Sequence, residues 1–137
     1  MRDKAFLDTN ILVYLHSQRD AVKGEVARRI FEEYSCVVSF QTLNEAVNVW
    51  IKKTKLSEIE IYEFLENIQL NCTDIRVVTR NTINLAISLK FKHNYSYFDC
   101  LMLASALEAG CSVIMTEDMA HGQIIEGELK IINPFAE

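Results

Sequence analysis

Of four acidic residues that could act together, Asp8, Glu45, Asp99 and Asp118, two stand where carboxylates are hard to keep. Glu45 lies within Asn44-Glu45-Ala46-Val47-Asn48-Val49-Trp50, and Asp99 heads Cys100-Leu101-Met102-Leu103-Ala104. Neither has a Lys or Arg close to it in the sequence. Sinking an unpaired carboxylate into apolar surroundings is expensive unless it is paired or bound to metal. Carboxylates gathered at one place also repel one another, and a divalent cation relieves both problems. An all-oxygen donor set favours Mg2+ or Mn2+ over zinc. Carboxylate-held Mg2+ works mainly on phosphates, activating a water and stabilising the leaving oxygen.

Each acid also has a local explanation. Asp8 fits the cap of a helix over Thr9–His16. Ser96-Tyr97-Phe98-Asp99 has capping-box spacing, Asp118 fits a turn, and Glu45 fits the wet side of an amphipathic helix. The shared chemistry therefore requires a fold that brings the four together.

The hydrophobic pattern supplies one. Lys4–Leu7 reads as a strand ending at Asp8, followed by the helix over Thr9–His16. Ala21–Tyr34 is predicted helical with Val22, Val26, Ile30 and Phe31 on one face. Cys36–Ser39 is a short apolar strand, and Phe40–Lys53 a helix with Phe40, Leu43, Val47, Trp50 and Ile51 in one stripe. Ser57-Glu58-Ile59-Glu60 matches a capping box opening a helix to about Ile68. Ile75–Val78 (strand), Asn81 to about Phe91 (helix), Tyr97–Ala109 (helix, stopped by Gly110), Cys111–Met115 and Leu129–Ile132 (strands) complete the reading. Short apolar strands alternating with helices predict an α/β fold, a three-layer α/β/α sandwich on a mostly parallel sheet of about five strands. Ligands in such folds bind beyond the carboxyl ends of the strands. Asp8, Glu45, Asp99 and Asp118 all fall near that edge.

With 137 residues, four Gly and one Pro, one domain spanning 1–137 without a linker is expected. Fourteen basic against nineteen acidic residues give a net charge of −5, which argues against a basic wrapper of nucleic acid but not against a metal-dependent nuclease. Setting the four candidate acids aside leaves fifteen acids against fourteen bases, so the remaining surface is close to neutral. Met1-Arg2-Asp3-Lys4 runs straight into the first strand, so no signal peptide is expected. No apolar stretch reaches the roughly 18 residues of a membrane span. Cys36, Cys72, Cys100 and Cys111 show no paired or metal-ribbon spacing, which predicts reduced thiols in a cytoplasmic protein.

Phe6-Leu7-Asp8-Thr9-Asn10, Asn44-Glu45, Tyr97-Phe98-Asp99-Cys100-Leu101-Met102-Leu103-Ala104-Ser105-Ala106 and Thr116-Glu117-Asp118-Met119, in this order and spacing, resemble the four motifs of PIN-domain ribonucleases, including VapC-type toxins. The resemblance covers nearly the whole chain. It implies metal ligands or metal-organising acids at Asp8, Glu45, Asp99 and Asp118, with Asp118 rather than the adjacent Glu117 in the fourth place. Thr9 and Asn10 would stiffen the first loop, and Thr116 would position the attacking water or a ligand carboxylate. The implied activity is Mg2+- or Mn2+-dependent hydrolysis of an RNA phosphodiester, leaving a 5′-phosphate and a 3′-hydroxyl. The implied partners are RNA, a second copy in a homodimer, and a small antitoxin whose tail blocks the acidic pocket. The alternatives are a non-catalytic PIN-like binding module and an RNA-processing nuclease without an antitoxin.

Lys52, Lys53 and Lys55 are read as a helix-terminal basic cluster that could contact RNA phosphates. His16, His93 and His121 lack a ligand pattern, although His121 follows Asp118 closely enough to approach a substrate. Trp50 and Phe40 are expected in the core or at a dimer seam. A haloacid-dehalogenase-like phosphatase would need an Asp at position 10, where Asn stands. A phospho-receiver domain would need a second acid near Asp8 and a Lys after the last well-formed strand.

Overall fold

The computed structural model describes residues 2–17 and 19–136; Met1, Gln18 and Glu137 lie outside the described residues. The elements run β1 (Lys4–Leu7), α1 (Thr9–Leu15), α2 (Ala21–Glu33), β2 (Ser35–Ser39), α3 (Phe40–Lys53), α4 (Glu58–Asn71), β3 (Asp74–Arg76), α5 (Arg80–Lys92), α6 (Tyr97–Glu108), β4 (Val113–Met115), β5 (Ile124–Ile125) and β6 (Leu129–Ile132). The strands form one sheet in the order β3-β2-β1-β4-β6-β5. Every pairing is parallel except that of β5 with β6. The three-layer α/β/α reading holds, with six strands among the described residues rather than about five. Ile124–Ile125 was expected in a loop, because two residues are too few for a period-2 signal.

Alternation along the strands splits the core in two. Phe6, Val37 and Ile114 point to the face covered by α5 and α6, where Ala86, Leu89, Leu103 and Ala106 pack. Ala5, Leu7, Cys36, Val38, Val113 and Met115 point to the other face, against Ile11, Leu12, Ile30, Leu43, Trp50 and Ile68 from α1 to α4. With both faces covered, β1, β2 and β4 are almost continuously buried, as parallel strands require.

The caps follow the sequence closely. Ser39, Ser57 and Ser96 accept backbone bonds at the starts of α3, α4 and α6. Gly110 has φ +72° beyond α6, a conformation that a side chain would strain. Two helix faces depart from expectation. Val22 is exposed at the start of α2, and the α3 stripe is narrower than predicted. Leu43 and Trp50 are buried, but Phe40 and Ile51 face outward, because the core covers only one side of a helix on an open sheet. The free cysteines agree with the reduced reading. Burial pushes the Cys36, Cys72 and Cys111 thiols up to about 12, leaving them inert. No helix among the described residues is long and apolar enough to cross a membrane.

Candidate functional site

The chain builds outward from β1 through β2 to β3, then returns to place β4 on the other side of β1. The carboxyl ends of β1 and β4, paired through Leu7 and Met115, therefore form the switch point where such sheets bind ligands. Asp8 follows one strand and Thr116 the other. Asp8 is 4% exposed, and its backbone N–H donates to the Met115 carbonyl at 3.1 Å, which fixes the junction.

Both oxygens of Asp8 are held. Oδ1 accepts from the Thr9 N–H at 2.5 Å, the capping bond of α1, and Oδ2 accepts from Thr116 Oγ1 at 2.6 Å. Despite these bonds, burial pushes the Asp8 carboxyl up to about 6, with Asp118 and Asp99 adding repulsion. The capping role and a role in the acidic centre thus coexist in one side chain.

Glu45, half-buried in the second turn of α3, is bridged to the first loop by Thr9 Oγ1, which donates to its Oε2 at 2.8 Å. Gln41, one turn earlier, donates Nε2 to Glu45 Oε1 at 3.2 Å and to the Phe98 carbonyl at 3.2 Å, tying α3 to the start of α6. Asp99 lies in the first turn of α6, where its N–H donates to Ser96 Oγ at 3.1 Å. Partial burial raises the Asp99 carboxyl, hydrogen bonding to Ser96 opposes the rise, and Asp118 and Glu45 add to it. Asp118, exposed on the turn after β4, accepts from Asn10 Nδ2 at 3.3 Å, and its N–H donates to Thr116 Oγ1 at 3.2 Å.

The four acids thus surround one end of the sheet, within electrostatic reach of each other. They do not form the tight clasp expected from sequence. Among the described residues, no three His, Cys, Asp or Glu side chains converge closely enough to close directly on one ion. Like charges spread apart, and each carboxylate has a hydrogen-bonding neighbour: Thr116 for Asp8, Thr9 and Gln41 for Glu45, Asn10 for Asp118 and Ser96 for Asp99. This spacing still fits a hard cation, because Mg2+ binds through one or two carboxylates and keeps several waters. The donor set is all oxygen, and among the described residues no Lys, Arg or His forms an ion pair with Asp8, Glu45, Asp99 or Asp118.

Glu117, the other acid of the turn, is held elsewhere: it accepts from Tyr14 Oη and pairs with Lys23 Nζ at 3.0 Å. Lys52, Lys53 and Lys55 are exposed at and beyond the end of α3. Lys53 and Lys55 border a cavity of about 490 Å3 between α1, α3 and α4. His121 uses Nδ1 to accept the Asn133 N–H at 2.9 Å, which anchors its loop to the segment after β6. His16 stacks on Phe64 at 3.9 Å, far along α1 from Asp8, and burial lowers it to about 4. The sequence reading missed Gln41, although its i, i+4 spacing to Glu45 was visible. It also missed Tyr14 and Lys23, whose approach to Glu117 spans about a hundred residues and leaves no local signal.

The PIN domain family profile matches residues 5–124. No curated protein sequence matches the chain. Solved structures do. A toxin–antitoxin complex from Klebsiella pneumoniae is similar at TM-score 0.68 and 19% identity, covering 96% of this chain and 98% of that one. VapC20 of Mycobacterium tuberculosis, described as a sarcin–ricin-loop-cleaving toxin, is similar at TM-score 0.64 and 18% identity, over 80% and 86%. VapBC2 of Rickettsia felis, bound to a DNA fragment from its promoter, is similar at TM-score 0.67 and 15% identity, over 93% and 98%. At these identities the structural likeness speaks to the fold, and the profile match across most of the sequence speaks to the family. The chain belongs to the PIN domain family.

Proposed function

We propose that residues 1–137 act as one PIN unit, a Mg2+- or Mn2+-dependent endoribonuclease that serves as the toxin of a type II toxin–antitoxin pair in the cytoplasm. One observation carries the reading. A buried carboxylate, Asp8, sits at the switch point of the sheet with its ionised form disfavoured by burial and by two neighbouring acids. Nothing in packing alone requires charge to be gathered there. The likeness to toxin–antitoxin structures supports the toxin assignment and an antitoxin partner.

Asp8, Asp99, Asp118 and Glu45 would hold the cation, one or two of them directly and the others through its waters. When bound, it would lower the pKa of a water and offset charge building on the phosphodiester. The protein's own part is positioning. Thr116 and the Thr9 N–H fix both oxygens of Asp8, so its carboxylate cannot turn away. Thr9 Oγ1 and Gln41 fix both oxygens of Glu45. Asn10 steadies Asp118. Asp99, in the first turn of α6 with its ionised form disfavoured by burial, is the group we assign to accept the proton of the attacking water.

RNA cleavage with Mg2+ or Mn2+ tests this reading. Asp8→Asn and Asp99→Asn should each lower the rate by at least about 100-fold, and chelation should abolish it. Cleavage that survives EDTA and both substitutions overturns the mechanism.

A further inference from the structure

The turn after β4 carries two adjacent acids, and the structure treats them differently. Both oxygens of Glu117 are occupied away from the other acids: Oε1 accepts from Tyr14 Oη, and Oε2 accepts from Lys23 Nζ at 3.0 Å. The same ammonium donates to Tyr14 Oη at 3.2 Å, closing a three-membered network. Lys23 Nζ also lies 4.6 Å from the Tyr14 ring centre and 5.0 Å from that of Phe135, whose ring meets Tyr14 edge-on at 5.2 Å. Side-chain exposure is only 19% at Glu117 and 30% at Lys23. Exposed ion pairs contribute little singly, but a partly shielded network backed by aromatic faces is the case where they matter. Four separate stretches meet here: α1, α2, the β4 turn and the segment after β6. At the other end of the turn, the Asp118 N–H donates to Thr116 Oγ1, which in turn donates to Asp8.

We propose that Lys23 and Tyr14 are positioning residues of the acidic centre. By clamping Glu117 outside the cluster, they make Asp118 the acid that the turn presents beside Asp8 and Asp99, in a geometry that favours a divalent cation. The inference rests on the metal-dependent reading above. Partners that orient ligand carboxylates without touching the metal commonly alter metal affinity 10- to 100-fold when removed. Loosening the clamp frees the backbone of Asp118 and adds a second, mobile carboxylate to a cluster that already repels itself.

The test is Mn2+ binding by calorimetry on the full chain, with melting temperature recorded alongside. Lys23→Met should weaken Mn2+ binding about tenfold or more, and Lys23→Arg should recover most of it. Glu117→Gln should weaken binding as well. The double variant Lys23→Met/Glu117→Gln should be no worse than the weaker single, because both act through one contact. Tyr14→Phe, which keeps the ring against Phe135, should show a smaller loss and serves if Lys23→Met fails to fold. RNA cleavage by Lys23→Met should recover toward wild type as Mn2+ is raised. A network that only stabilises the fold would lower the melting temperature and leave Mn2+ affinity unchanged, and that result overturns the clamp. If Asp8→Asn loses Mn2+ while the clamp variants bind as wild type does, the clamp alone fails. If the wild-type chain binds no Mn2+, the metal-dependent reading fails and the clamp with it.

Discussion

Asp8 does two jobs that pull in opposite directions. It caps α1 and closes the junction between β1 and β4, yet burial with Asp99 and Asp118 nearby raises its carboxyl from 3.8 to about 6. The sign of the effect on stability follows. Below the unfolded value both states are protonated and nothing is lost. As pH rises through 3.8 the unfolded chain ionises first, and above about 6 the folded state bears the whole penalty, about 3 kcal/mol at most. With metal chelated, Asp8→Asn should therefore melt higher than wild type at pH 7, and the gap should close toward pH 4. A gap independent of pH would refute the assignment. Asn keeps the capping oxygen but puts a donor where Oδ2 accepts from Thr116, so the pH dependence of the gap, rather than its size, reports the charge. His16 contributes the opposite slope. Burial lowers it to about 4, so its stabilisation is complete above its unfolded value of 6.5 and is lost as pH falls toward 4. The difference between variants, rather than either melting curve alone, is thus the quantity to follow. Glu45 and Asp99 were legible in the sequence because charge inside an apolar run is conspicuous, and Asp8 and Asp118 because each follows the end of a predicted strand. The donors that restrain them mostly were not. Thr9, Asn10 and Thr116 came from motif likeness, and Gln41 only from the structure, as did Tyr14 and Lys23 around Glu117.

Helix α3 joins two chemistries along one axis. Its capping box at Ser39 and Thr42 starts it at the end of β2, Gln41 and Glu45 face the acidic centre, and Trp50 anchors it in the core. Lys53 lies eight residues past Glu45, about 12 Å along the helix. A strand of RNA with its scissile phosphate near the acids could then lay a neighbouring phosphate on the lysines. Replacing Lys52, Lys53 and Lys55 together by Gln should weaken RNA binding and flatten the plot of log affinity against log salt, lowering its slope by about 2 for a single-stranded RNA. An unchanged slope would remove them from the substrate path. Helix α3 also shows where periodicity misleads. The stripe from Phe40 to Ile51 is real as a pattern, but Phe40 and Ile51 lie at its margins and face solvent. A pattern gives the direction of a helix face and not its width. Strand β5 was invisible for a different reason: it exists through pairing with β6, and two residues carry no period of their own.

At the scale of the whole molecule, apolar side chains remain uncovered on several elements. Ile83, Ile87 and Phe91 are exposed at i, i+4 and i+8 along α5, and Ile51 and Tyr62 are exposed around a groove between α3 and α4. Soluble chains rarely leave such patches bare without a partner, which supports the proposed homodimer and antitoxin. Sedimentation of the purified chain should give twice the mass of one copy; a monomer at high concentration would refute the homodimer. The alternating topology was legible because each buried strand reads as an apolar run, and the location of the site followed from that topology. The turn after β4 shows what such a layout entails for synthesis. Thr116 N–H donates to the Ile132 carbonyl, Gly122 N–H to the Ile131 carbonyl, and Phe135 flanks Tyr14 and Lys23. All four acids are translated before those residues, so a growing chain carries every carboxylate without the braces that hold the fourth in place.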